Sequence, residues 1–580
     1  MELNLKKHFN DLLFLPLGGA NEIGMNLNLY HLNGKWLMID CGVGFAYNIP
    51  GIDMMTPDIS FIKQHRHNLL GIVLTHIHED HMGAVQYLWE ELRVPVYATQ
   101  FGANFLRTKL SEFHLDKTLP IKIIDSEHVL DLEPFYLEFI GLTHSVPEMK
   151  AVLVKTQHGN VLHTGDWKLD PDPVIGDVSE IEKIKHLGDQ QQILAMICDS
   201  TNAINEGHSR SEGELYNSLK SLIAGRNGLV GVTTFASNIA RVHTIARIAK
   251  ELGRKVVFSG FSLHRLFEVG KKSGYFIEDF GIISDREAKL YNKNEILVIC
   301  TGCQGEELAS ARKIASGNHP YLNFTKNDLM IFSSKIIPGN EKKIFELFDL
   351  LAKRQIDVMT EKDHFVHVSG HPSRDELKQM YQLARPQIAI PVHGEFIHTK
   401  AHCELAQECG VNRVIQTENG LAIRLSSDLG RCEAVGKVKT GYFGIDGNQL
   451  IDLKSEVIRE RKKLQEAGVI IISLSVNDSL KILGRIAISS IGSYPLNQDQ
   501  ESENLLRSEI NNFLKNRARE LDLHDGFGLN FLKKKKKRQK LEGSKIIKDL
   551  EKQLRSRLLK IFEELMGKRP ALEVIIHLID

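Results

Sequence analysis

Cysteine is scarce in this sequence, with seven in 580 residues. So sparse and odd a set suits a reducing compartment and excludes a disulfide framework. Net charge is lacking too, since 73 Lys+Arg stand against 73 Asp+Glu. That balance excludes an all-over basic coat for nucleic acid, and the 42% hydrophobic content excludes global disorder. No apolar run approaches the roughly 20 residues that cross a bilayer. The opening Met1-Glu-Leu-Asn-Leu-Lys-Lys-His8 lacks the apolar core of a signal peptide. No internal repeat is found. At roughly 100–200 residues per domain, the expectation is a soluble cytoplasmic protein of several domains with no membrane partner.

Short apolar runs alternate with turn signals through the first two hundred residues. The pattern predicts strands over 12–17, 27–32, 36–40, 71–75, 94–98, 122–124, 135–140, 151–156 and 160–164, with a helix over 83–92. From Ser211 longer helices (212–222, 237–252, 262–270) alternate with buried strands (256–259, 296–300, 329–333). Such alternation predicts a parallel-sheet unit of about 150 residues. Strands over 364–368 and 388–392 follow, each ending near histidines, and the last part predicts strands over 469–474, 483–489 and 572–578 with two helical stretches.

Charge is uneven along the chain. Residues 501–580 carry 19 basic and 13 acidic side chains, or +6, against −6 before them, and the excess is largely Lys533-Lys-Lys-Lys-Lys-Arg-Gln-Lys540. A solvated loop or a phosphate contact both account for this run. Cys300-Thr-Gly-Cys303 has no second pair nearby and reads as buried strand-end cysteines.

The strongest chemical signal is Leu74-Thr-His-Ile-His-Glu-Asp-His81, directly after a buried strand. Imidazoles so dense at a strand-to-helix junction need a common partner, and a divalent metal is the usual one. His76 and His78 alternate and can face one ion, while Asp80 and His81 can face a second. Further acids and imidazoles stand at other strand ends: Asp40, His144 and Asp166. Alone, each reads as a turn cap or an exposed side chain. Together they make a ligand set, and a carboxylate such as Asp166 can bridge two ions roughly 3.5–4 Å apart.

Asp40, His76-X-His78-X-Asp80-His81, His144 and Asp166 resemble the motifs of the metallo-β-lactamase superfamily in order and spacing. Asp199, His371 and His393 resemble the three extra motifs of its β-CASP nucleases. The likeness narrows to the ribonuclease J family at residues 17–26, 234–241, 301–306 and 333–341. This resemblance implies an α/β protein: a metallo-β-lactamase αββα sandwich (1–210 and 363–446), an inserted β-CASP domain (211–362), a linker (447–465) and a small α+β C-terminal oligomerisation domain (466–580).

The resemblance also implies roles. His76, His78 and His144 would hold one ion and Asp80, His81 and His393 a second, bridged by Asp166, with Asp40 orienting a ligand. Two divalent ions per subunit, zinc or alternatively manganese, would activate a hydroxide that attacks phosphorus and leaves a 5′-phosphate. Asp80, Asp199 and His371 are the expected catalytic groups, with His371 as general acid paired to Asp199. His367, Ser369, Gly370 and His371 would cradle a phosphate, joined by Ser237, Asn238 and Arg241 at a helix start. Simple capping is the alternative for that helix start.

The implied activity is 5′-3′ exonuclease and endonuclease cleavage of single-stranded RNA in maturation and decay. A homodimer or homotetramer and other RNA-decay proteins are the implied partners. The competing readings are a DNA nuclease, a small-molecule metallo-hydrolase and a non-catalytic RNA-binding scaffold. The inserted unit argues against a small substrate, and the seven candidate ligands argue against a relict site.

Overall fold

A computed structural model describes residues 2–521 and 538–579, with side chains from 545 onward in the second stretch. The Lys533–Lys540 run lies outside the described residues except for the backbone of its last three. The chain divides into two compact units, Met1–Phe45 with Met54–Phe443, and Ala46–Asp53 with Gly444–Asp580.

Two sheets face each other in the larger unit. The first has eight strands in the order Ala434–Lys437, Leu421–Arg424, Leu13–Gly18, Leu27–Leu32, Lys35–Ile39, Leu69–Val73, Val96–Ala98, Ile121–Ile123. The second has seven, in the order Arg413–Val414, Ile388–Val392, Ile193–Asp199, Gly159–His163, Lys150–Thr156, Phe135–Gly141, Leu130–Leu132. Phe14, Tyr30 and Ile39 of the first meet Leu137, Val154 and Ile390 of the second in one buried layer. The outer face of the second sheet is covered by the helices Ile181–Asp189, Arg374–Ala384 and Phe396–Glu408. Arg374–Ala384 shows why such a segment is helical: a Ser373/Glu376 capping box opens it, and Leu377, Met380, Tyr381 and Ala384 form its buried stripe. Gln100–Glu112 packs along Val96–Ala98 and Ile121–Ile123 of the first sheet. The result is an αββα sandwich. Ile388–Val392 runs parallel to Ile193–Asp199 with Val392 opposite Asp199, which brings residues far apart in sequence to one sheet edge.

The intervening segment builds a third sheet of six parallel strands, ordered Ile282–Ile283, Lys255–Ser259, Ile296–Cys300, Val230–Thr233, Leu329–Phe332, Asp357–Met359. Its central strands read as continuous apolar runs because helices cover both faces.

Three expectations about elements change. Residues 364–368 form an irregular loop, not a strand. The carbonyl of Val366 accepts Ser333 Oγ at 2.6 Å and Arg241 Nη1 at 3.3 Å, so side chains satisfy it where a neighbouring strand would have. The helix expected from residue 212 begins at Leu215, because Ser211 Oγ and the Glu212 N–H both donate to the Asp170 carboxylate. Residues 447–465, expected as a linker, carry regular structure: the strand Gln449–Asp452 and most of the helix Glu456–Ala467, whose Ile458 and Ala467 are buried.

In the smaller unit Val469–Val476 lies between Ile482–Ile491, antiparallel, and Ala571–Leu578, parallel. Its alternation buries Ile470, Ile472, Leu474 and Val476 against Leu506, Ile510 and Phe513 of the helix Gln500–Glu520. Leu550, Leu554, Leu558 and Phe562 of the helix Arg538–Met566 complete that core at four-residue spacing. Among the described residues no helix is long and apolar enough to cross a membrane.

Candidate metal centre

The cluster predicted from sequence converges at one edge of the sandwich. The strand Leu69–Val73 runs out into His76 and His78, and the short helix Glu79–Met82 carries Asp80 and His81. Asp40 and His393 each follow a strand directly, and both have left-handed backbones, with φ of 63° and 52°. A non-glycine residue there costs of order 1–3 kcal/mol and persists only where its surroundings impose it. Here the N–H of Asp40 donates to Val73 O at 2.9 Å and that of His393 to Gly19 O at 2.6 Å, turning both side chains into the site.

His76, His78, His144 and Asp166 form the first ligand set, with one ligand atom from each lying within 4.8 Å of the others. His76 Nε2 and His144 Nε2 approach His78 Nδ1 at 3.0 and 3.1 Å. Their opposite nitrogens decide what these atoms carry. His144 Nδ1–H donates to Gly370 O at 2.6 Å. Thr75 Oγ1 gives its proton to the Asp40 carboxylate at 2.9 Å and so accepts from His76 Nδ1–H at 3.0 Å. Both Nε2 atoms therefore present lone pairs toward His78 Nδ1, the arrangement that a shared cation ligand set requires. Burial first, and then neighbouring imidazoles, push His76 and His144 well below the usual histidine pKa. Burial also lowers His78, to about 4, against the opposing pull of Asp80 and Asp166.

Asp80, His81, Asp166 and His393 form the second set. His81 donates from Nδ1 to Asp40 Oδ2 at 2.7 Å, which aims Nε2 at Asp166 Oδ2, 3.1 Å away. Asn26 Nδ2 also lies 3.0 Å from that nitrogen. Thr201 Oγ1 donates to Asp199 Oδ1 at 2.7 Å and accepts from His393 Nδ1 at 2.8 Å, so His393 Nε2 faces Asp80 Oδ2 at 3.0 Å. Burial alone would lower His81 and His393, yet the carboxylates around them win: His81 is raised well above its usual value and His393 to about 10. Asp166 belongs to both sets, and its buried Oδ1 has no hydrogen-bond partner. An orphaned carboxylate oxygen between two nitrogen-rich sets fits a shared cation ligand. The donors are imidazole and carboxylate throughout, which suits zinc or manganese.

Beside the second set, His371 Nδ1 donates to Asp199 Oδ2 at 2.8 Å and lies 3.8 Å from Asp166 Oδ2. Burial lowers its pKa, but Asp199 and Asp166 more than reverse this and raise it. The loop before it is tightly held. Ser369 Oγ accepts from Asn202 Nδ2 at 2.8 Å and from the His371 N–H at 3.1 Å. A Cβ on Gly370 would stand 2.8 Å from the His144 ring, so only glycine fits beneath that ligand. His367 Nδ1 is buried without a partner; burial, then Arg241, Lys335 and Lys168, push its pKa well down.

The expected phosphate contacts at the start of the helix Ile239–Glu251 divide. Ser237 is half-buried, and Asn238 caps the helix by accepting the Arg241 N–H at 3.0 Å. Arg241 departs from expectation: its side chain is fully buried and spends its donors inside the protein. Nε and Nη2 reach Glu212 at 2.5 and 2.9 Å, and Nη1 reaches Ser333 Oγ at 2.6 Å. It presents nothing to a phosphate. Cys300 and Cys303 are buried and free, and neither joins a metal-binding group among the described residues. Sequence reading missed Thr75 and Thr201, which set the tautomers of His76 and His393; a lone hydroxyl beside a motif carries no spacing signal.

Comparison with known proteins accords with this geometry. The family model described as metallo-beta-lactamase superfamily matches residues 26–222. That described as "Ribonuclease J, beta-CASP domain" matches 227–351, and "Zn-dependent metallo-hydrolase RNA specificity domain" matches 355–416. A ribonuclease J of Sinorhizobium meliloti is 40% identical over 83% of this chain and 86% of its own length. Ribonuclease J2 of Bacillus subtilis is 33% identical over 82% and 86% respectively. A crystal structure of a protein of unknown function from Enterococcus faecalis shares the fold, with a TM-score of 0.52 at 17% identity over 72% of this chain and all of its own. With 40% identity across most of both chains and a site of two ligand sets sharing Asp166, this chain belongs to the ribonuclease J family.

Proposed function

We propose that this chain is a ribonuclease that cleaves single-stranded RNA by 5′-3′ exonucleolytic and endonucleolytic hydrolysis, leaving a 5′-phosphate on the downstream product. The observation that carries the reading is the pair of ligand sets joined through Asp166, with the His371–Asp199 pair alongside. His76, His78, His144 and Asp166 would hold one divalent ion, and Asp80, His81, His393 and Asp166 a second, zinc or manganese. Such ions, when bound, supply Lewis acidity to the phosphodiester and to the attacking water. Asp40 holds the proton of His81 at Nδ1, and Thr75 and Thr201 do the same for His76 and His393, so the ligand nitrogens stay aimed. In hydrolysis the water oxygen bonds to phosphorus and releases a proton to solvent, which later restores His371, while the bond from phosphorus to O3′ breaks and O3′ needs a proton. His371 supplies it from Nε2 while Asp199 steadies the ring through Nδ1. His367, Ser369 and Gly370 border the same loop and would receive a neighbouring phosphate.

The proposed division is a metallo-β-lactamase domain (1–210 and 363–446), a β-CASP insert (211–362) and a C-terminal domain (466–580) that forms a homodimer or homotetramer. Purified protein is tested on 5′-monophosphate RNA labelled at its 5′ end, on matched DNA, and on 5′-triphosphate RNA, before and after chelation. Metal-restored release of labelled mononucleotide from the RNA is the expected result, and Asp80→Ala should abolish it without unfolding the protein. Cleavage of DNA alone, or full activity in Asp80→Ala, would defeat the proposal.

A further inference from the structure

Behind Asp199 three buried side chains form a hydrogen-bonded line that takes no part in the reaction above. Ser200 and His402 are fully buried and Tyr381 is 3% exposed. Ser200 Oγ lies 2.9 Å from His402 Nδ1, and the Tyr381 hydroxyl lies 2.9 Å from His402 Nε2. One arrangement of protons uses every donor. Tyr381 O–H donates to Nε2, Nδ1–H donates to Ser200 Oγ, and Ser200 O–H points to Cys198 O at 3.5 Å. The reverse order strands the phenol proton in the core, which is costly. Burial lowers His402 to about 4, so the ring is neutral and holds this single tautomer.

Each end of the line belongs to an element that delivers a functional group. Ser200 directly follows Asp199 at the end of the strand Ile193–Asp199. Tyr381 lies on the helix Arg374–Ala384, which starts three residues after His371, and His402 lies on Phe396–Glu408, which starts three after His393. Contact also runs forward from Ser200. Its carbonyl accepts the Ala203 N–H at 3.0 Å, closing the turn in which Asp199 Oδ1 takes the Thr201 N–H at 2.9 Å. Gly394, next to His393, packs so closely that a Cβ there would lie 3.0 Å from Ser200 Cβ.

We infer that His402 is a positioning residue: through Ser200 it sets the turn bearing Asp199, and thereby the aim of His371 and His393. The inference rests on the nuclease reading, and its test carries a second readout that does not. His402→Leu removes both bonds, whereas His402→Asn keeps an N–H where Nδ1 stood. Steady-state cleavage of 5′-monophosphate RNA is measured with thermal melts, and zinc affinity by competition with a chromophoric chelator. His402→Leu is expected to lose at least tenfold in kcat with KM within twofold, and to bind zinc at least fivefold less tightly. His402→Asn should return kcat to within threefold of wild type.

Near-wild-type kcat and affinity in a folded His402→Leu would overturn the inference. So would equal impairment of both variants at equal melting temperature. Should His402→Leu fail to fold, Ser200→Ala decides: a tenfold kcat loss at constant KM supports positioning, and a change within twofold refutes it. A wild-type protein that cleaves no RNA counts against the nuclease reading alone, and the affinity ratio then decides the role of His402.

Discussion

Asp40 touches no substrate in the scheme above, yet it governs two ligands. It accepts the Nδ1–H of His81 and, through Thr75, anchors His76. Asp40→Asn tolerates the left-handed backbone but replaces a carboxylate with a neutral amide. Zinc affinity, titrated by calorimetry, is expected to fall about 10–100-fold, with the far-ultraviolet spectrum unchanged. Asp170 is a second residue whose charge matters, bonded to buried Lys168 at 2.8 Å. Burial raises its pKa, but Lys168 and the donors of Ser211 and Glu212 prevail and lower it. A depressed carboxylate contributes stability above its unfolded pKa of roughly 4, and that contribution is lost as pH falls through the folded value. Asp170→Asn should therefore cost about 3 kcal/mol near neutral pH and progressively less below about pH 4, measured by urea unfolding across pH. A pH-independent difference would contradict this. Residue identity was legible in the sequence wherever metal-ligand types crowd together, as from His76 to His81. It was illegible for Arg241, whose partner Glu212 lies 29 residues upstream and reads as an ordinary charge.

Elements were legible where periodicity is strong. The apolar strands of the parallel sheet and the alternating Val469–Val476 stand where sequence reading puts them. The failures share a cause: the deciding partner is distant in sequence. Residues 364–368 have a strand's composition, but the Ser333 hydroxyl and the Arg241 guanidinium take the Val366 carbonyl. The helix Glu456–Ala467 falls mostly within the stretch that the family resemblance implies as a linker, and its Ile458 and Ala467 are buried. Arg241 joins the helix Ile239–Glu251 to the loop leading to His371, and its removal strands Glu212 among buried groups. Arg241→Met should destabilise the fold by at least about 3 kcal/mol. Adding Glu212→Leu should recover much of that loss, which a double-mutant cycle in denaturant measures. No recovery would mean the pair is not what binds these elements.

For the molecule as a whole, ligand sets drawn from four separate stretches of chain make ion binding a property of the assembled fold. An ion present at about 100 times its Kd adds about 2.7 kcal/mol of stability per site, so chelation should lower the melting temperature by several degrees and zinc or manganese should restore it. An unchanged melting curve would show that the ligand sets hold no ion in solution. The sandwich was legible from its motifs, whereas the way the insert is fastened was not, because its fasteners are ordinary polar residues. Those fasteners sit where the chain leaves and re-enters the sandwich: Asp170 with Ser211 and Glu212 on one side, Ser333 and Arg241 with Val366 on the other. The insert is thus tied back to the sandwich at both ends, Ser211 and Glu212 to the Asp170 carboxylate and Ser333 and Arg241 to the Val366 carbonyl. The two seams therefore differ in kind: the first hangs on the Asp170 carboxylate, which one substitution can remove, and the second on a main-chain carbonyl that any residue at 366 supplies.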